Sequence, residues 1–247
     1  MNKSPKLPMT SLKDILIQKS PAKTNTLNDI KITSISYGSY KAVSYLHRNF
    51  RKGVKRMRVG LEINRSSRKN ARFLFIFHQL LQVLPTLASH QCCERWMGPE
   101  VAPELGNGIP MKKLGGNTDL AHLIEHIMID LICRLGEMKT CSGLTCGYQS
   151  PRNRFDLFVE SSGKKVGAFS ANLAVFMVNS LLMDKKLPPH TKETIQLAKL
   201  VFSNPRRKYS PANIGALCNW DVSLSKYLHR QLEKLGLFHR VKSLSVA

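Results

Sequence analysis

Alternation of apolar and polar side chains marks three segments of this chain as strands. The first covers residues 32–37, the second residues 57–63 and the third residues 154–160. Because successive side chains of a strand point to opposite faces, Asp156 and Glu160 are expected on one face of the third strand. The three segments predict a small sheet with one apolar face.

Apolar residues at helical spacing predict the remaining elements. Helices are expected over residues 67–87, 117–135, 168–183, 192–202 and 211–217, with a last helix capped at Ser223. Gly136 ends the second of these helices, and residues 141–150 have the composition of a loop. The fold class is therefore α+β, a small sheet packed with a core motif helix and followed by a helical module.

The same patterns predict three regions. Residues 1–28 combine proline, lysine and serine without periodicity, which is typical of a flexible basic arm. Residues 29–187 form the α+β domain, and the prolines at 188 and 189 mark a boundary. Residues 190–247 form the helical module.

Charge favours an anionic partner. The 247 residues carry 38 Lys and Arg against 16 Asp and Glu, a net charge of +22. Residues 1–60 hold 13 basic and 2 acidic side chains, and residues 190–247 hold 10 and 3, so the excess lies in the flanks. A nucleic acid, an acidic polymer or an acidic peptide would be attracted to such a protein.

Cysteine use and hydropathy predict a cytoplasmic protein. The six cysteines form no C-x-x-C pair, and we find no secretory signal. The longest apolar run, residues 73–84, is too short to cross a bilayer, so no transmembrane segment is expected. Cys141 and Cys146 could be metal ligands or a redox pair, but ordinary buried thiols are the simpler interpretation.

The most informative motif is H-x-x-E-H, which consists of His122, Glu125 and His126 within the predicted helix 117–135. One helical turn separates the two histidines, so both imidazoles can reach one Zn²⁺ ion, and the adjacent carboxylate can accept a proton from water. This order of residues is typical of zinc hydrolases. The alternative is a core helix that carries two ordinary histidines.

Residues of about 73 to 184 resemble the N-terminal domain of cyanophycin synthetase, which builds an aspartate–arginine polymer. The resemblance rests on Val83-Leu-Pro-Thr-Leu87, Ser89-His90-Gln-Cys92, Ala121-His-Leu-Ile-Glu-His126, Asp130, Leu135-Gly136 and Phe155-Asp-Leu-Phe-Val-Glu160. It implies a metallopeptidase-like hydrolase that cleaves the polymer internally, or a domain that only holds the polymer. Polymer synthesis is not expected, because ATP-grasp and ligase domains would not fit in the residues after 184.

The resemblance also implies roles for single residues. His122 and His126 would be zinc ligands, Glu125 the general base and Glu160 the third ligand. The residue pattern alone favours Glu160 only weakly and leaves Asp156 as the alternative, since both lie on one strand face. Where the family has a Phe-Gly-Arg-Thr-like loop this chain has Cys146-Gly-Tyr-Gln-Ser-Pro-Arg152, so Arg152 or Arg154 would have to bind a substrate carboxylate.

The helical module resembles a winged-type helix-turn-helix. Its last helix would offer Lys226, Tyr227 and Arg230 to the major groove of DNA, although such modules also serve only for packing. Two functions follow: a zinc-dependent hydrolase of peptide or isopeptide bonds acting on an acidic or Asp/Arg-containing substrate, or a non-enzymatic protein that binds nucleic acid or polymer. The oligomeric state is left open.

Overall fold

A computed structural model describes residues 29–41, 43, 53–63, 70–92, 109–110, 117–136, 138–184 and 186–238. The predicted basic arm, residues 1–28, lies outside this range. The mixed α+β class predicted from the sequence is confirmed.

An antiparallel sheet of four strands forms one layer, in the order β1-β2-β6-β5. Its strands are β1 (Ile30–Gly38), β2 (Arg56–Ile63), β5 (Gly143–Gly147) and β6 (Arg154–Glu160). A separate two-stranded pair joins β3 (Gln91–Cys92) to β4 (Ile109–Pro110). The expectation of a loop over residues 141–150 is therefore wrong for its middle part, Gly143–Gly147, which is the edge strand β5.

The two faces of the sheet differ as the alternation predicts. Met57, Val59 and Leu61 of β2 pair with Val159, Leu157 and Phe155 of β6, and all six side chains point into the main core. The residues between them, including Asp156 and Glu160, therefore point to the opposite face. A small second cluster around Val43 and Phe158 covers that outer face.

Six α-helices lie in the described residues. They are α1 (Asn70–Leu81), α2 (Asn117–Gly136), α3 (Lys164–Asp184), α4 (Thr191–Ser203), α5 (Pro211–Cys218) and α6 (Val222–Lys234). The first helix is shorter than predicted, because it ends at Leu81 and a 3₁₀ turn over Pro85–Ser89 follows. The cap of the last helix is Asp221, not Ser223, since the carboxylate Oδ1 of Asp221 accepts the backbone N–H of Leu224 at 2.8 Å.

Helix α2 is the centre of the molecule. It packs on the core face of the sheet and against both α3 and α4, so almost every side chain from Leu120 to Leu135 is buried. Helix α3 is long and apolar enough to cross a membrane, but 78% of its apolar window is buried inside the fold, as in a core helix.

The helical module shares this core. Leu197 of α4 and Leu228 of α6 belong to the same buried cluster as Leu131 of α2 and Leu173 of α3. The side-chain amide of Asn172 also donates to the carbonyl of Leu235 at 3.1 Å. The predicted boundary at 187–190 therefore separates two sequence regions but not two hydrophobic cores.

Candidate metal centre

The motif residues converge at the amino-terminal half of α2. One ligand atom from each of His122, Glu125 and His126 lies within 4.8 Å of the other two, and these three form the metal-ligand cluster found among the described residues. The Nε2 atoms of His122 and His126 are 3.0 Å apart. Helical spacing alone explains this convergence, because residues three and four apart share one face.

Burial sets the protonation of the two imidazoles. It lowers the pKa of His122 to about 4, and burial together with the neighbouring His122 and His90 lowers the pKa of His126 well below its usual value. Both rings are therefore neutral at physiological pH. Neutral imidazole is the form that binds a metal ion.

Strand β5 holds the carboxyl group of Glu125 in place. The hydroxyl of Thr145 donates to its Oε2, and Gly143 lies directly beneath it on the same strand face. A Cβ atom at position 143 would lie 2.8 Å from Cγ of Glu125 and closer still to Oε1, so only glycine leaves room. Burial raises the pKa of Glu125 to about 8, and the Thr145 hydrogen bond opposes that rise.

A series of contacting side chains extends from His126 on the side away from the cluster. Nδ1 of His126 lies 3.1 Å from Nδ1 of His90, and Nε2 of His90 lies 3.6 Å from Oδ1 of Asp130. Arg134 contacts the other oxygen of Asp130 at 2.6 Å, and the hydroxyl of Thr86 donates to Asp130. The ring of His126 is therefore held from the side opposite His122.

Asp130 is the buried acid in this series of side chains. Burial alone would raise its pKa, but hydrogen bonds from His90 and Thr86 and the charge of Arg134 outweigh burial and lower it. Asp130 is thus an anion at neutral pH although it is only 3% exposed. An anion at this position favours the His90 tautomer that carries its proton on Nε2.

The structure does not bring Glu160 or Asp156 to the cluster. Glu160 pairs with the buried Arg56 at 3.2 Å and accepts the backbone N–H of Ser142 at 3.3 Å. Asp156 pairs with Arg58 at 2.7 Å. Both carboxylates lie on the sheet face opposite α2, so a role as third metal ligand stays a prediction without support from the geometry.

The remaining predicted residues lie elsewhere. Arg152 is exposed in the hairpin between β5 and β6, and Arg154 is exposed at the first position of β6. Cys141 places Sγ 3.0 Å from the carbonyl oxygen of Glu160, and Cys146 packs in the outer-face cluster. These contacts are those of ordinary thiols.

Sequence reasoning missed Gly143 and Thr145, and it gave His90 no role. Gly143 and Thr145 lie in the strand that the sequence did not predict, and no local pattern connects them to α2. His90 is separated from His126 by 36 positions, so only the tertiary structure shows that their rings meet.

The chemistry of the donor set fits a divalent ion such as zinc. Two nitrogens bound to one tetrahedral zinc ion are about 3.4 Å apart, so the Nε2 atoms need to separate by only a few tenths of an ångström. The donors are two neutral imidazoles beside a carboxyl group. Such a donor set binds zinc in preference to magnesium or calcium.

The comparisons with known proteins place this geometry in a family. A family model described as the cyanophycin synthase-like N-terminal domain matches residues 56–183, about half of the chain. The matched range contains the sheet from β2 onward, the cluster on α2 and the helix α3. No curated protein matches the chain.

Proposed function

The chain belongs to the cyanophycin synthase-like N-terminal domain family, and we propose that it is a zinc-dependent hydrolase of peptide or isopeptide bonds. One observation carries the proposal: His122 and His126 bring their Nε2 atoms to 3.0 Å with the carboxyl group of Glu125 beside them. Two imidazoles and an adjacent carboxyl group are the parts that metallohydrolases use.

Each residue of the cluster has its own role in the proposed reaction. His122 and His126 would hold the ion, which when bound would lower the pKa of water and polarise a carbonyl group. A cation held beside Glu125 would favour the ionised form of its carboxyl group, and in that form Glu125 accepts the proton of the attacking water and passes it to the nitrogen of the leaving amine. Thr145 and Gly143 keep the Glu125 carboxyl group over β5, so that its position does not change between these two proton transfers.

His90 and Asp130 are positioning residues in this proposal. A metal-binding histidine commonly uses its second ring nitrogen for a hydrogen bond that fixes the orientation of the ring. Nδ1 of His126 has such a partner in His90, which in turn faces Asp130. The arrangement directs Nε2 of His126 toward His122.

The substrate we propose is an acidic or Asp/Arg-containing peptide or polymer, such as a cyanophycin-like chain. The net charge of +22 supports this choice, because a strongly basic protein attracts anionic substrates. We propose that Arg152 binds a substrate carboxylate, because it is exposed in the hairpin that follows β5, the strand that contacts Glu125. Arg154 is also exposed, but it begins β6 and shares the strand face of Asp156 and Glu160, opposite α2.

The first test is the metal content of the purified protein, measured by elemental analysis after zinc is supplied. The wild type, Glu125→Gln and the matched control His78→Ala are expected to hold about one zinc per chain, whereas His122→Ala is expected to lose it. His78 is an exposed histidine on α1, so its removal takes away an imidazole outside the cluster. A wild type without bound zinc would overturn the proposal.

The second test is cleavage of an Asp/Arg polymer and of acidic peptides by the zinc-loaded protein. Glu125→Gln should reduce the rate by about a hundredfold or more, because it removes the proton acceptor while metal content is unchanged. Equal rates for the wild type and Glu125→Gln would show that the site binds metal without hydrolysing these bonds.

A further inference from the structure

Helices α5 and α6 are joined by a turn of only three residues. Asn219 adopts the left-handed conformation at φ 54°, Trp220 follows with its N–H donated to the carbonyl of Gly215 at 3.1 Å, and Asp221 caps α6. An 8-residue helix, a short turn and a 13-residue helix are the lengths of a helix-turn-helix.

The two helices also cross at close range. A Cβ atom on Gly215 of α5 would lie 3.0 Å from the carbonyl oxygen of Trp220 and 3.2 Å from Oγ of Ser225. Ser225 is fully buried at this crossing, and Ile214 and Leu228 pack beside it in the core. The angle between α5 and α6 is therefore fixed by tight packing, and α6 is held rigidly against the protein.

The outward face of α6 is basic. Lys226, Arg230 and Lys234 recur every fourth residue and are exposed, so they form one stripe along the helix. Glu233 lies beside the stripe, but it is half-buried and 3.9 Å from His229. At the amino end of the same helix Val222 is 61% exposed, the largest value among the exposed large hydrophobic side chains of the described residues.

A second basic segment precedes α5. Arg206, Arg207 and Lys208 are all exposed in the loop between α4 and α5. The loop is anchored by Tyr209, whose hydroxyl group donates to the carbonyl of Leu200 at 2.9 Å. In helix-turn-helix proteins the helix before the recognition helix lies against the phosphate backbone, which is where these three cations would be placed.

We infer that α4, α5 and α6 form a DNA-binding unit in which α6 enters the major groove of duplex DNA. Lys226 and Arg230 contact base edges or phosphates, the exposed Val222 can contact a thymine methyl group, and the loop of residues 206–208 binds phosphates. This function is additional to the proposed hydrolase and does not depend on the metal centre.

The geometry favours duplex DNA over other polyanions. A helix with an exposed basic face matches the width of the DNA major groove, whereas the major groove of duplex RNA is too narrow to admit it. Tyr227 is not part of the proposed interface. Its ring packs edge-on against His190 with the centroids 5.5 Å apart, and its hydroxyl group donates to the carbonyl of Pro189 at 3.4 Å.

The test is fluorescence anisotropy of a short labelled DNA duplex of random sequence titrated with the full chain at several salt concentrations. The double variant Lys226→Ala/Arg230→Ala should weaken binding by about tenfold or more and reduce the slope of log affinity against log salt by about 2. Both side chains are exposed, so the fold should not change, and circular dichroism checks this.

The matched control is Lys164→Ala/Lys165→Ala, which removes the same charge from the exposed amino end of α3. We expect it to change the affinity by less than about threefold. Equal losses in the two double variants, or a Lys226→Ala/Arg230→Ala protein that binds like the wild type, would overturn the inference. Duplex RNA or polyaspartate competing as well as duplex DNA would also overturn it.

Discussion

At the scale of single residues, the position of Glu125 depends on the absence of a side chain at Gly143. Gly143 and Thr145 belong to the same face of β5, so one provides space for the carboxyl group while the other donates a hydrogen bond to it. The proposed general base, Glu125, is therefore positioned by a neighbouring strand as well as by its own helix. This strand contributes to the site without contributing a metal ligand.

Gly143→Ala should lower the rate of hydrolysis by about tenfold or more while zinc content stays close to that of the wild type. The added methyl group pushes the carboxyl group of Glu125 aside but leaves His122 and His126 in place. The measurement is kcat with elemental analysis on the same samples.

Gly147→Ala is the control, because Gly147 lies on the same strand face, where a Cβ would meet only the Phe155 ring at an ordinary 3.4 Å. Its rate should stay within about twofold of the wild type. A Gly147→Ala protein as slow as Gly143→Ala would show that β5 tolerates no side chain and would remove the argument for Glu125.

Glu160→Ala should lower the free energy of unfolding by about 3 kcal/mol and leave zinc content unchanged. Glu160 is the ion-pair partner of Arg56, which is fully buried, and removing one member of such a pair leaves an uncompensated charge. Urea denaturation and elemental analysis measure the two effects.

The comparison variant Glu193→Ala removes a carboxylate from a more exposed pair, where the distance to His190 is 4.0 Å, and should cost less than about 0.5 kcal/mol. Loss of zinc from Glu160→Ala without loss of stability would instead support Glu160 as the third ligand.

At the scale of elements, the strands and helices that could be predicted are those whose apolar residues recur with a clear period. The seven residues of β6 alternate except at Phe158, and the motif helix combines an apolar stripe with a glycine stop, so both lie close to where the sequence placed them. Strand β5 was missed because Gly-Leu-Thr-Cys-Gly has two glycines and only one large apolar residue. Its pairing with β6 is a tertiary effect.

Within the site, the residues on one helix could be predicted from the sequence, whereas contacts between different elements could not. His122, Glu125 and His126 share a helix, so spacing alone brought them together. Glu160 lies on another element, and the spacing within α2 says nothing about how near that element comes to the cluster. Its strand face is the polar one, opposite the apolar face that packs against α2. The contact between His90 and His126 likewise depends on how the 3₁₀ turn packs against α2.

Asp221→Ala should lower the free energy of unfolding by about 1 kcal/mol, because it removes the side chain that caps α6. Ser223→Ala is the control. Ser223 is the cap that the sequence predicted, but it lies inside the helix and is exposed, so its replacement should change stability by less than about 0.5 kcal/mol. Urea denaturation followed by circular dichroism would distinguish them, and the reverse ranking would place the cap at Ser223.

At the scale of the whole molecule, the shared core makes the helical module part of one cooperative unit. Leu228→Ala on α6 should lower the free energy of unfolding of the entire chain by about 2–4 kcal/mol, because this fully buried side chain belongs to the main cluster. Circular dichroism and tryptophan fluorescence during urea denaturation should give coincident transitions.

Val222→Ala tests the same helix at its exposed face and should change stability by less than about 0.5 kcal/mol. Two separate transitions, with only one shifted by Leu228→Ala, would show that the module folds independently of the sheet.

The charge pairs on the outer face of the sheet affect the register in which β2 and β6 pair. Both arginines, Arg56 and Arg58, are on β2, and both acids, Glu160 and Asp156, are on β6. In the observed register Arg56 lies directly opposite Glu160, whereas Arg58 reaches Asp156 diagonally. A shift of two residues between these strands would keep every apolar side chain on the correct face, but it would move the buried Arg56 away from its position opposite Glu160. The Arg56–Glu160 pair therefore favours one alignment among those that the hydrophobic pattern allows, and we expect homologous chains to lose or exchange these two residues together.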